Sequence, residues 1–143
     1  MQRREKQQPT ITVARCFLLR DDGLILLVQR SKTDSLPGMW ECPGGTLDGQ
    51  NFITALKREI REETGLRIGI VLEKTFRNVT KIRSGRRRGQ KRHVRIVVAR
   101  AKRGRVRRSE DHDSHAWVTY DQLLTYDLTT ETRKAAIALK PLL

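Results

Sequence analysis

Cysteine is scarce in this chain, with only Cys16 and Cys42 in 143 residues. Two thiols are too few for a disulfide framework and lack the paired spacing of a zinc site, so both are expected reduced. Long apolar runs are missing too. None approaches the roughly 20 residues of a spanning helix, and residues 1–9 lack the apolar stretch of a secretory signal and read as a mobile tail. These absences point to a cytoplasmic protein with no membrane partner. Aromatic residues make up 5% of the chain, which argues against a base-stacking platform for nucleic acid. Acidic residues are absent between Lys81 and Arg108, where 14 basic residues stand. That segment equals the whole net charge of +14, so the rest of the chain is near neutral.

What is present suffices for one core. Apolar residues make up 37% of the sequence, and two independent cores in this length would be hard to stabilise, so residues 10–143 are expected to form a single domain. The apolar, partly β-branched run from Ile11 to Arg20 suits a strand buried on both faces. Asp21-Asp22-Gly23 is a turn signal before a second apolar run from Leu24 to Gln29, which predicts a hairpin. Pro37-Gly38 closes a loop, and Glu41-Cys42-Pro43-Gly44-Gly45 reads as a short strand entering a glycine turn. Ile53, Leu56 and Ile60 recur at helical spacing, and Gly65 supplies a left-handed stop. Extended structure follows from Leu66 to Ile82 and from His93 to Ala101, joined by a basic hairpin loop over residues 84–89. Trp117-Val118 is a short strand, and a closing helix from Thr129 to Lys140 turns Ile137 and Leu139 inward. Strands with helices between and after them indicate an α/β sandwich.

Chemistry concentrates in Arg58-Glu59-Ile60-Arg61-Glu62-Glu63-Thr64-Gly65-Leu66. On a helix Glu59 lies beside Glu62 and Glu63, three and four residues on, and like charges at that spacing cost a few tenths of a kcal/mol each. A divalent cation would remove the conflict, and Mg²⁺ takes about six oxygens, few of them from protein. Arg58 stands four residues before Glu62 and can pair with it. The competing reading is a solvated helix face.

The stretch from Gly44 to Leu66 resembles the Nudix box: Arg58-Glu59, apolar Ile60, Glu62-Glu63, Gly65 and apolar Leu66 match in register. The preceding segment from Met39 to Gly45 and the later one from Glu110 to Asp121 are also similar to that family, so the resemblance covers nearly the whole chain. Two positions depart from it. The first acidic position of the box is Gln50, and the loop through Thr46, Leu47, Asp48 and Gly49 is one residue short. The resemblance implies a Nudix-type α/β/α sandwich with a central mixed sheet, and Mg²⁺-dependent hydrolysis (Mn²⁺ as a substitute) of a diphosphate linkage in a nucleotide. It assigns Glu59 and Glu63 as principal metal ligands with Gly45 beside them, Glu62 as a third ligand or the base for water, and Arg58 as the residue orienting the carboxylates. A late-loop carboxylate, Glu110, Asp111 or Asp113, would join the site.

Arg30, at the end of the second strand, can meet substrate phosphate or simply be exposed there. Glu41 and Gly44 fall on the substrate side. Trp40 reads better as a core or rim aromatic than as a base stacker, and His112 and His115 as structural loop residues. The segment between Lys81 and Arg108 is either two solvated strand faces or a phosphate-binding surface. Three functions follow: hydrolysis of a small anionic nucleotide, action on an RNA 5′ end, or a catalytically weakened binding module. A homodimer is compatible with any of them.

Overall fold

The computed structural model describes residues 10–47, 49–107, 109–110 and 112–143, so the expected tail at 1–9 and the candidate Asp111 lie outside the described residues. Seven strands form one sheet: β1 (Thr10–Leu19), β2 (Ile25–Arg30), β3 (Trp40–Glu41), β4 (Gly44–Thr46), β5 (Ile68–Lys81), β6 (Lys91–Ala101) and β7 (His112–Val118). The helices are α1 (Phe52–Thr64), α2 (Tyr120–Leu123) and α3 (Thr130–Ala138). The main path runs β3-β2-β1-β6-β5, with β4 on β1 and β7 on β2. The pairing of β1 with β6 is parallel and the other strand pairings are antiparallel, which makes the sheet mixed.

Strand periodicity divides the core in two, because alternate residues face opposite sides of a sheet. Ala14, Cys16 and Leu18 of β1 join Val97 and Ala99 of β6 and Leu56 and Ile60 of α1 in one buried cluster. Val13, Phe17 and Leu19 join Val94, Ile96 and Val98 beneath Ala135, Ala136 and Leu139 in the other. The result is the α/β/α sandwich, and β1 is covered on both faces, as its mostly apolar run implies. Cys16 and Cys42 are buried free thiols, and burial pushes Cys42 up to about 12.

Several local expectations change. The turn at Asp21–Gly23 closes only the pair Leu19–Ile25; β2 then leaves β1 and runs between β3 and β7, so no extended hairpin forms. The strand anticipated at Trp117-Val118 spans seven residues from His112, so His112 and His115 are strand residues, not loop residues. Ile53 is 38% exposed and the buried side of α1 is Ala55, Leu56, Ile60 and Thr64, because one turn of helix places Ile53 at the edge of the apolar stripe. Ile137 is 61% exposed while Leu139 is buried; α3 ends at Ala138 and a 3₁₀ turn, Lys140–Leu142, follows. Among the described residues no helix is long and apolar enough to cross a membrane.

α1 has defined ends. The Asn51 side chain accepts from the Thr54 backbone N–H at 2.8 Å, a preferred N-cap. Gly65 takes φ 75° and donates its N–H to the Arg61 carbonyl at 2.9 Å, a left-handed stop that glycine adopts without steric penalty. Leu56→Ala should cost about 2–5 kcal/mol of unfolding free energy by opening a cavity under α1, whereas Ile53→Ala should stay within about 0.5 kcal/mol. Urea titration of both variants checks this, and equal losses would contradict the burial assigned to the helix.

Candidate active site at the carboxylate helix

The helix α1 and the Gly44–Gly45 segment of β4 are positioned by the same strand. Gly44 and Gly45 pair with Arg15 and Ala14 of β1, and α1 packs on that strand through Leu56 and Ile60. Approach is close enough to require glycine: a Cβ at Gly44 would lie 2.1 Å from the Ala14 carbonyl oxygen, and one at Gly45 would lie 2.3 Å from Glu59 Oε2. The Gly44 N–H donates to Glu63 Oε2 at 2.9 Å. Two of the expected acidic residues thus meet two successive glycines, which pair with β1 as part of β4 instead of forming the expected glycine turn.

Glu62 behaves differently. Its side chain is 58% exposed and lies 3.4 Å from the Arg58 guanidinium, which also contacts Glu59 Oε1 at 3.2 Å. Arg58 Nε donates to Gln50 Oε1 at 3.0 Å. The residue that departs from the Nudix pattern therefore anchors the arginine, keeping a polar contact where an acid was expected. Among the described residues no group of three or more His, Cys, Asp or Glu side chains that could hold one metal ion is gathered, so the anticipated cluster of Glu59, Glu62 and Glu63 is not formed. The physical reason is that Arg58 draws Glu62 outward and the Gly44 N–H draws Glu63 inward.

The oxygen donors still suit Mg²⁺, which takes one or two carboxylates and completes its shell from water and substrate phosphate. Glu59 and Glu63 are such a pair, both on α1 and both turned toward the glycines of β4. Burial pushes the Glu63 carboxyl up to about 7 against the opposing pull of His112, the Gly44 N–H and Arg15.

Beside Glu63 lies a network the sequence reading largely missed. Arg15 is 8% exposed and Glu41 is 4% exposed, and Arg15 Nη2 lies 3.3 Å from Glu41 Oε2. Arg15 Nη1 also donates to the Cys42 carbonyl at 3.1 Å. Arg30 Nη1 donates to both Glu41 oxygens at 3.1 and 3.2 Å and its remaining nitrogens go to Ser35 and Asp34. Arg30 is therefore engaged by protein groups, not an exposed strand-end arginine. His112 is buried and its Nε2 stands 3.8 Å from Glu41 Oε1. The signal in the sequence was Arg15, a single charge inside an otherwise apolar strand, since a buried charge must find a partner.

Other candidates lie elsewhere. Glu110 and Asp113 line a separate cavity with Gln29, Lys32, Ser109 and His112, and Asp113 accepts from the Lys32 backbone N–H. Trp40 packs edge-on against Tyr126 at 5.0 Å at the rim of the α3 core, as the sequence suggested. Glu59, Arg58 and Gln50 instead face a cavity of about 780 Å³ shared with Thr10, Thr12, Thr46, Gly49 and Arg87. A second cavity, of about 310 Å³, is lined by Arg15, Arg30, Glu41, Arg92, Thr129 and Glu131 among others.

The carboxylate helix and the two glycines it meets belong to the segment that resembles the Nudix box, and a model of the NUDIX domain matches residues 9–139. The chain belongs to the NUDIX family. It is similar to the nucleoside triphosphatase NudI of Klebsiella pneumoniae, with 32% identity over 135 residues covering 90% of this chain and 95% of that one. The Escherichia coli protein of the same name is 33% identical with the same coverage. Among solved structures, the E. coli ORF135 protein superposes with a TM-score of 0.75 at 26% identity, covering 93% of this chain and 92% of that one. The MutT protein from Methanosarcina mazei Go1 gives a TM-score of 0.73 at 20% identity, covering 96% and 97%, a likeness of fold. This NUDIX chain is a hydrolase acting on nucleotide diphosphate-type substrates in general.

Glu41 links the site to stability. Burial opposes its charge, but His112, Arg15 and Arg30 outweigh burial and hold its carboxyl below the ordinary range. Because the folded-state value is lowered, the stability it contributes is present at neutral pH and lost as pH falls through that value. Glu41→Gln should cost about 3–5 kcal/mol at pH 7 by leaving Arg15 buried without its counter-charge, and should flatten the acid limb of stability below the ordinary carboxylate range. Denaturant melts across a pH series from neutral into the acid range check this, and a variant with wild-type stability at neutral pH would contradict it.

Proposed function

We propose that the chain is a Mg²⁺-dependent pyrophosphohydrolase of nucleoside triphosphates. The observation that carries this reading is the seating of Glu59 and Glu63 against Gly45 and Gly44, with Glu59 lining a wide polar cavity. Nucleoside triphosphatase is what the NudI relatives are named, and the likeness extends over nine-tenths of this chain.

Glu59 and Glu63 would hold Mg²⁺, with Gly45 beside them. Bound there, the ion would neutralise non-bridging phosphate oxygens and acidify water. Glu62, solvent-facing and paired with Arg58, would serve as the base for the attacking water. Arg58 orients Glu59 and Glu62 at once, since its guanidinium touches both, and Gln50 fixes the arginine from behind. The buried Arg15–Glu41–Arg30 network stiffens the Gly44–Gly45 segment from the opposite face of β1 and presents positive charge to the smaller cavity.

Incubation of the purified chain with a nucleoside di- and triphosphate panel and Mg²⁺ or Mn²⁺, reading phosphate and pyrophosphate release, tests the reading. Turnover should require the metal, and Glu59→Gln and Glu63→Gln should each lower it by about 10²-fold or more while the circular dichroism spectrum stays that of the parent. Metal-independent release, or wild-type rates in either variant, would overturn the assignment.

A further inference from the structure

The hairpin of β5 and β6 carries more positive charge than any fold requirement explains. Register places Arg77 directly opposite Arg95 and Lys81 directly opposite Lys91, and like charges directly across a ladder destabilise it. Alternation puts all four on one face, that of Val97, Ala99 and α1, with Val79 and His93 between the two pairs. The Val79 side is exposed. Beyond the pairs, the connecting turn presents Arg83, Arg86, Arg87 and Arg88, all exposed. Among the described residues none of these eight arginines and lysines forms an ion pair; Arg92, which contacts Glu131 on the opposite face, does. Arg95 stacks on Phe52 at 3.9 Å, its Nε is buried without a hydrogen-bond partner, and burial together with Arg77 holds its pKa below the ordinary value.

This face is continuous with the carboxylate cavity. Thr10, Thr12 and Ala14 of β1 pair with Lys91, His93 and Arg95, so they share the same side of the sheet, and Thr10 and Thr12 line the cavity that holds Glu59 and Arg58. Arg87 from the hairpin turn lines it too. A strip of cations therefore begins at the mouth of the candidate active site and runs outward along one ribbon. Its near lack of aromatics suits contact with backbone phosphates, not bases, and it leads into the cavity lined by Glu59.

We propose that the β5–β6 ribbon, through Lys81, Arg83, Arg86, Arg87, Arg88 and the Arg77–Arg95 pair, is a binding surface for single-stranded RNA whose 5′ end points into the Glu59 cavity. The direction of the strand rests on the functional reading above; the surface itself does not. Backbone contact at these cations accounts for their unpaired state, since each phosphate supplies the counter-charge the protein withholds.

Fluorescence anisotropy with a labelled single-stranded RNA of roughly a dozen nucleotides, across a salt series and without added metal, tests the surface with no turnover needed. The parent should bind with a steep salt dependence. Replacing Arg83, Arg86, Arg87 and Arg88 together by serine should weaken binding at least tenfold. The slope of log affinity against log salt should fall by about 3, at roughly 0.7 for each phosphate left without its arginine. The same four positions changed to lysine should keep most of the affinity, which separates charge from folding. Unchanged binding in the serine variant, salt-independent binding, equal affinity for a duplex of the same sequence, or capture of phosphatidylserine vesicles in place of RNA would each overturn the proposal. A chain that hydrolyses no nucleotide yet shows this pattern loses the enzymatic reading and keeps the surface; the reverse result does the opposite.

Discussion

The contact between the Glu63 carboxylate and the Gly44 backbone N–H ties the helix that carries the acids to the strand that carries the glycines. A carboxylate this buried is costly to keep charged unless donors or cations face it. Gly44 answers with one N–H, and the space left by the absent Cβ atoms brings Glu59 against Gly45. A side chain at Gly44 would collide with the Ala14 carbonyl and Arg15 of β1, and one at Gly45 with the Glu59 carboxylate, so either would disturb the geometry of the site. The core beneath, Leu56 and Ile60 on Ala14, Cys16 and Leu18, holds the two elements at that spacing.

The sheet keeps two kinds of chemistry apart. On the α3 side, Arg15 and Arg30 share Glu41 in a charge network that keeps a net positive charge. On the α1 side, Arg58 balances Glu59 and Glu62, while the ribbon beyond keeps its positive charge uncompensated by protein. Such a field draws anions toward the cavity and raises encounter rates. The same β1 strand serves both sides, which is why its residues alternate between core and site with no room for slippage in register.

Much of this is legible in the sequence. The helix from Phe52 and its stop at Gly65, the basic hairpin and the doubly buried first strand follow from periodicity and turn chemistry, because those are local. The long β7, the exposure of Ile53 and Ile137, and the departure of β2 from β1 do not, since they depend on which element packs against which. Within the site, the Arg58–Glu62 pair is legible from its four-residue spacing, whereas the Gln50 contact to Arg58 and the seating of Glu59 and Glu63 against the glycines are not, since they depend on how β4 and its flanking loop meet α1. Arg15 and Glu41 are distant in sequence, and their pairing follows from β3 and β4 folding back toward β1.

The function proposed for this helix requires that Glu59 and Glu63 together make an oxygen site for one divalent ion. Isothermal titration of Mn²⁺ into the protein with a non-hydrolysable nucleoside triphosphate analogue present measures this directly. The parent protein should take up the metal, and uptake should be lost when both glutamates become glutamine, with nucleotide alone giving no such difference. Identical metal uptake by parent and double variant would contradict it.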